Sequence, residues 1–138
     1  NLKPLTKYYF RANASNQFGT VNGSILSFTT TGPASPGAAK VDTTAATGIT
    51  STGMRLNGKV NPNGNATRFW FEYGVDSLLG SILGSTTKTD VAGSGTSEIA
   101  VSATVTGLAR DTRYYYRVVG ENSYGTVRGD IVTATTKK

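Results

Sequence analysis

The side chains able to do chemistry are few and scattered. Eight carboxylates, Asp42, Glu72, Asp76, Asp90, Glu98, Asp111, Glu121 and Asp130, stand apart in the sequence without the spacing of a calcium loop. The chain has neither cysteine nor histidine. That excludes zinc fingers, haem and iron–sulfur ligation, disulfides, and any nucleophile activated by an imidazole. General acid–base work would need two carboxylates to meet in space, and nothing local proposes a pair. The expectation is therefore no enzyme, no metal and no cofactor.

Two further features invite chemistry. Trp70 sits between Arg68 and Glu72 on the face of a strand expected to point outward. There it could stack on a sugar ring or pack on a neighbouring chain. The plainer reading is that the Gly/Ser-rich stretch 75–97 folds over it. Asn13-Ala14-Ser15, Asn22-Gly23-Ser24 and Asn65-Ala66-Thr67 are glycan acceptor triplets. With nine Asn, and 34 Ser or Thr in 138 residues, about two such triplets arise by chance, so three decide little.

The elements that must carry these residues are β-strands. There are 22 Thr, 12 Ser and 17 Gly, and good helix formers are sparse. Thr favours strands, and Gly and Asn favour turns, so the composition reads as all-β with many short strands. No apolar run approaches the roughly 18 residues that span a bilayer. The formal charge is +6, but the Lys and Arg residues are spread singly along the chain. Nucleic-acid binders concentrate theirs on one face, so a solvated basic surface is expected, with weak attraction to anionic polysaccharide or lipid as the alternative. The chain begins at Asn1 without a signal-like segment, and reads as a mature fragment or a cut piece of something longer.

An internal repeat organises the chain. Residues 2–31 align without gaps on 108–137, with 13 identities in 30 pairs. Leu2, Thr6, Tyr8, Tyr9, Arg11, Asn16, Gly19, Thr20, Val21, Gly23, Ile25, Thr29 and Thr30 each recur 106 positions later. The expected organisation is a partial module at 1–31, a Pro/Gly/Ala linker at 32–39, and a complete module at 40–138. In the complete module, alternation predicts strands near 40–47, at 54–60 with Met54, Leu56 and Val60 inward, and at 66–74 with Phe69, Phe71 and Tyr73 on one face. A short irregular strand follows near 86–90, then strands at 98–106, 112–121 and 126–136. Asn61-Pro62-Asn63-Gly64-Asn65 is a turn. Seven strands in about a hundred residues is the sandwich count.

Leu108-Ala109-Arg110-Asp111-Thr112-Arg113-Tyr114 resembles the tyrosine corner of fibronectin type III modules. The same pattern stands at Leu2-Lys3-Pro4-Leu5-Thr6-Lys7-Tyr8. The resemblance implies a seven-stranded immunoglobulin-like sandwich over 40–138, with 2–31 as strands F and G of a preceding module. It implies a structural role for Leu108, Thr112 and Tyr114, and for Leu2, Thr6 and Tyr8, each Tyr hydroxyl bonding back to the corner backbone. Val60-Asn61-Pro62-Asn63-Gly64 and Phe71-Glu72-Tyr73-Gly74 resemble a prokaryotic subgroup found in tandem in secreted and surface proteins. Arg128-Gly129-Asp130 spells the integrin tripeptide for which the family is known. The equivalent Asn22-Gly23-Ser24 shares only the glycine, so a bulge in the last strand is the expectation.

These implications converge on a non-catalytic structural or adhesive module of a tandem-repeat extracellular or cell-surface protein. Its partners would be neighbouring modules or like subunits, with surface polysaccharide as a further candidate. No nucleic acid and no membrane span are expected. One alternative is a subunit of an extracellular filament joined head to tail through the 2–31 hairpin. A second is a carbohydrate-binding accessory module of a secreted enzyme. Two strands alone are marginally stable, and Tyr8, Phe10, Leu26 and Phe28 would line an apolar face. With Trp70, those four are the candidate subunit contacts.

Overall fold

The computed structural model describes residues 2–3, 6–30 and 36–138, divided into two compact units, Asn1–Ser35 and Pro36–Lys138. Residues 32–35 of the expected linker, and Pro4 and Leu5 of the first corner, lie outside the described residues.

The first unit is one long hairpin. β1 (Lys7–Phe10) pairs antiparallel with β4 (Leu26–Thr29), and β2 (Asn13–Asn16) pairs with β3 (Gly19–Asn22). The interruption between the two ladders is bridged by Gly23 N–H donating to Ala12 O at 2.8 Å.

The second unit is a two-layer antiparallel sandwich. Its strands are β5 (Lys40–Thr47), β6 (Gly53–Asn61), β7 (Arg68–Gly74), β8 (Gly84–Ser85), β9 (Thr89–Asp90), β10 (Ile99–Thr106), β11 (Arg113–Asn122), β12 (Gly125–Arg128) and β13 (Val132–Thr135). One layer is ordered β10-β6-β5. In the other, β11 lies between β7 and the broken strand β12/β13, and β7 carries β8 and β9 on its far side. Counting each broken edge strand once gives seven.

Alternation places the core. Met54, Leu56 and Val60 of β6 face Phe69 and Phe71 of β7 and Tyr114, Tyr116 and Val118 of β11, and all are buried. Phe69 and Phe71 meet edge to face, with centroids 6.2 Å apart, the arrangement aromatic quadrupoles favour. At the turn after β6, Asn63 and Gly64 take φ of 52° and 85°, and Asn63 N–H donates to Asn61 Oδ1 at 2.8 Å. Asn tolerates that left-handed backbone better than other side chains, and Gly adopts it without penalty.

Three strand expectations need correction, each for a side-chain reason. The strand placed at 66–74 begins at Arg68, because the Thr67 hydroxyl donates to Asn65 O at 3.0 Å and holds that segment in the turn. The strand placed at 86–90 is two short pieces, β8 and β9. Between them Thr86 Oγ1 accepts the Phe71 amide at 2.9 Å, and this side-chain bond interrupts the ladder. The strand placed at 126–136 is also two pieces. Gly129 N–H bonds to Val118 O at 2.9 Å, and the Val118 amide turns to Thr43 Oγ1 of β5 at 3.1 Å.

Candidate functional site: the apolar face of the first hairpin

The hairpin and the β11–β13 arm of the sandwich have the same register. Tyr8 opposes Phe28 as Tyr114 opposes Ala134, and Asn16 opposes Gly19 as Asn122 opposes Gly125. The hydrogen bonds at the corner and the turn match. Tyr8 OH accepts the Lys3 amide at 2.8 Å, and Tyr114 OH accepts the Ala109 amide at 2.8 Å. Thr30 Oγ1 accepts the Thr6 amide at 3.0 Å and donates to Lys3 O at 2.6 Å, and Thr136 Oγ1 does the same to Thr112 and Ala109 at the same distances. At the turns, Asn16 Oδ1 takes the Phe18 amide and Asn122 Oδ1 takes the Tyr124 amide, both at 2.9 Å.

Burial is where the two arms part. Tyr116 and Val132 pack in the sandwich core, and Tyr116 is 0% exposed. Their counterparts Phe10 and Leu26 are 52% and 58% exposed. Phe28 is exposed, and Tyr8 stacks beside it with ring centroids 6.0 Å apart. Leu108 is buried, whereas its counterpart Leu2 is exposed. The hairpin thus exposes side chains whose counterparts in the sandwich face its core. Burying one such aromatic or aliphatic side chain is worth about 1.5–3 kcal/mol, so leaving these exposed forgoes several such contributions.

Trp70 does not belong with that face. It is only 7% exposed, and Lys88 from the 75–97 stretch lies over its ring at 4.3 Å from the centroid. Lys88 Nζ also donates to Glu121 Oε2 at 2.9 Å, and this bond lowers the Glu121 carboxyl below its ordinary range. The covered Trp is the reading that survives, and Trp70 is withdrawn as a subunit contact because it has no surface to offer one.

The tripeptide is committed to the fold. Arg128 bonds to Glu72 Oε2 at 3.4 Å, beside Arg117, whose Nη2 lies 2.7 Å from the same oxygen. Glu72 is buried. A Cβ on Gly129 would come within 2.6 Å of Thr43 Oγ1, so glycine is needed there for close approach to β5. In the folded module the Asn65 triplet does not present its amide to solvent, because Asn65 Nδ2 is buried. Asn13 and Asn22 are exposed on the hairpin. Among the described residues, no three acidic side chains gather as metal ligands.

The Arg117–Glu72–Arg128 cluster was missed at the level of sequence. Glu72 is 45 residues from Arg117 and 56 from Arg128, and only the pairing of β11 with both β7 and β12 brings them together. The sole signal was a charged residue on a strand otherwise rich in aromatics.

No protein-family model matches the chain, and no curated protein matches it. Solved structures do. The sensor domain of the anti-sigma factor RsgI4 from Pseudobacteroides cellulosolvens is 20% identical over 75% of this chain and 98% of its own, with a TM-score of 0.56. The FN1–FN3 domains of chicken CNTN1 are 16% identical over 99% of this chain and 45% of theirs, with a TM-score of 0.52. At such identities the likeness concerns fold: the chain is an all-β, immunoglobulin-like sandwich of the fibronectin type III kind.

Proposed function

We propose that the chain is a non-catalytic structural or adhesive segment of a tandem array at the cell surface or outside the cell, of the prokaryotic surface-protein type. Residues 40–138, within the compact unit Pro36–Lys138, are one whole module, and residues 1–31 carry the closing arm of another module of the same kind. The observation that carries this reading is the match of register and of the corner and turn hydrogen bonds across 106 positions, combined with the exposed face of the first arm. In an array, a β5-β6-β10-like sheet from that other module covers Tyr8, Phe10, Leu26 and Phe28.

The filament alternative draws on the same exposed face. It needs an acceptor with a strand missing, however, and residues 36–138 already hold their own β11, β12 and β13 in place. That favours the array. The carbohydrate-binding reading loses its support with the burial of Trp70.

The test is to place a second copy of residues 36–107 directly before Leu2, with Ala14→Gly in the hairpin. The glycine is needed because a Cβ at the matching Gly120 would sit 2.7 Å from Val41 Cγ1. Unfolding enthalpy scales with the number of folded residues. Calorimetry should therefore show it nearly doubled relative to the 138-residue chain. An enthalpy that stays unchanged would mean the hairpin is not the arm of a module.

A further inference from the structure

The loop that follows β7 is unusual for a solvent-facing segment. Val75, Leu78, Ile82 and Leu83 are 57%, 78%, 44% and 63% exposed, four large aliphatic side chains within nine residues. The loop is held in shape and is not merely slack chain. The Asp76 carboxylate accepts the amides of Leu78, Gly80 and Ser81 at 3.1, 2.8 and 3.1 Å. Those bonds keep its pKa below the ordinary 3.8. Leu79 adopts a φ of 49° and is buried as the loop's anchor. Leu83 N–H closes the loop on Tyr73 O at 3.0 Å.

The charge around it is one-sided. Gly74, where the loop leaves β7, pairs with Tyr115, two residues from Arg113 at the start of β11. The same end of the sandwich carries Arg110, Lys137 and Lys138, since Asp111 N–H bonds to Lys137 O and Lys137 N–H to Thr50 O. Elsewhere in the unit, Lys59, Arg68, Lys88, Arg117 and Arg128 are held in ion pairs, Arg55 donates to Ser102 Oγ at 2.7 Å, and Lys40 stands in no ion pair among the described residues. Among the described residues, Arg110, Arg113, Lys137 and Lys138 form none. The acids at this end are Asp111 and Asp76, and Asp76 is already engaged by three amides. Shape-fixed aliphatic side chains at the same end of a sandwich as unpaired cations are a combination that binds an anionic bilayer surface. The aliphatic groups enter the acyl boundary and the cations meet the headgroups.

We propose that the 75–83 loop docks this end of the module on an anionic phospholipid surface, a role that goes beyond membership of an array. The chain lies on the surface and does not span it.

The test is co-sedimentation of the full chain with phosphatidylcholine vesicles, with and without phosphatidylglycerol, at low and high salt. The probe variants are Leu78→Ser/Leu83→Ser and Arg110→Ser/Lys137→Ser. Phe10→Ser/Phe28→Ser controls for the other exposed apolar face, and Trp70 fluorescence checks that the module is folded. The expected result is binding that needs phosphatidylglycerol and weakens with salt. It falls at least about tenfold in the Leu variant, falls in the Arg/Lys variant, and is unchanged in the Phe variant. Any of three outcomes would overturn the proposal: no vesicle binding, binding lost only in the Phe variant, or binding that survives undiminished in the Leu variant.

Discussion

At the scale of single residues, two polar contacts hold the sandwich where apolar packing cannot. The Tyr114 hydroxyl is the partner of the Ala109 amide at the corner before β11, and Tyr114 is buried. Tyr114→Phe leaves that amide without its acceptor, at a cost of about 1–2 kcal/mol, measurable by urea denaturation. Tyr8→Phe makes the same deletion in the hairpin and should leave the module's transition where it was. Glu72 is the second case, because it neutralises Arg117 and Arg128 on the outer face of β7. Glu72→Gln keeps the shape but leaves two guanidinium groups without their anion. Since the arginines are partly exposed, the expected loss is about 1–3 kcal/mol and not the larger cost of a fully buried pair. An unchanged denaturation midpoint would contradict the role given to Glu72.

At the scale of elements, what sequence could reveal was set by how far away the deciding partner lay. The inner faces of β6, β7 and β11 were legible, since alternation within a strand is a local signal and a buried face tolerates few exceptions. The repeat was legible for the same reason: corner, turn and strand residues recur in order. The broken edge strands were not. Thr86 and Thr43 replace backbone partners with hydroxyls, and a Thr that does so looks like any other strand Thr. The face of Trp70 was read correctly, but its cover was not located, because Lys88 arrives from a loop without periodicity. The break at Gly129 yields a prediction of its own. Gly129→Ala places a Cβ against Thr43 Oγ1 and Val118 Cγ1, and should cost about 1–3 kcal/mol by overpacking. The matching Gly23→Ala meets only Ala12, nearest at 3.2 Å, so the module's unfolding transition should not move.

At the scale of the whole molecule, pH works on the fold from both sides. Burial raises the Tyr116 phenol above its ordinary 10.0, with a backbone hydrogen bond at Ala46 opposing. The folded state therefore keeps that proton longer than the unfolded chain does. The stability this contributes is present below pH 10.0 and is lost as pH rises through the folded value. Phenolate absorbance should accordingly show Tyr116 ionising together with alkaline unfolding. At the acid end, Asp76 and Glu121 are lowered from 3.8 and 4.5, by amide bonds and by Lys88 respectively. Their contribution is present above those values and fades as pH falls through the lower folded ones. An acid unfolding curve that ignores Asp76→Asn would contradict this.

The central claim is that the first hairpin is one arm of a module and needs the opposing sheet to be stable. Hydrogen exchange tests it most directly, because the Gly23 and Thr30 amides have twins that make the same bonds. Gly23 and Thr30 bond at 2.8 and 3.0 Å, and Gly129 and Thr136 at 2.9 and 3.0 Å. In the chain alone, the hairpin amides should exchange with almost no protection, while their twins exchange only through opening of the sandwich. With residues 36–107 placed before Leu2 and Ala14→Gly, the Gly23 and Thr30 amides should slow toward the rates of Gly129 and Thr136. Hairpin amides that exchange at the same rate with and without that sheet would contradict the account.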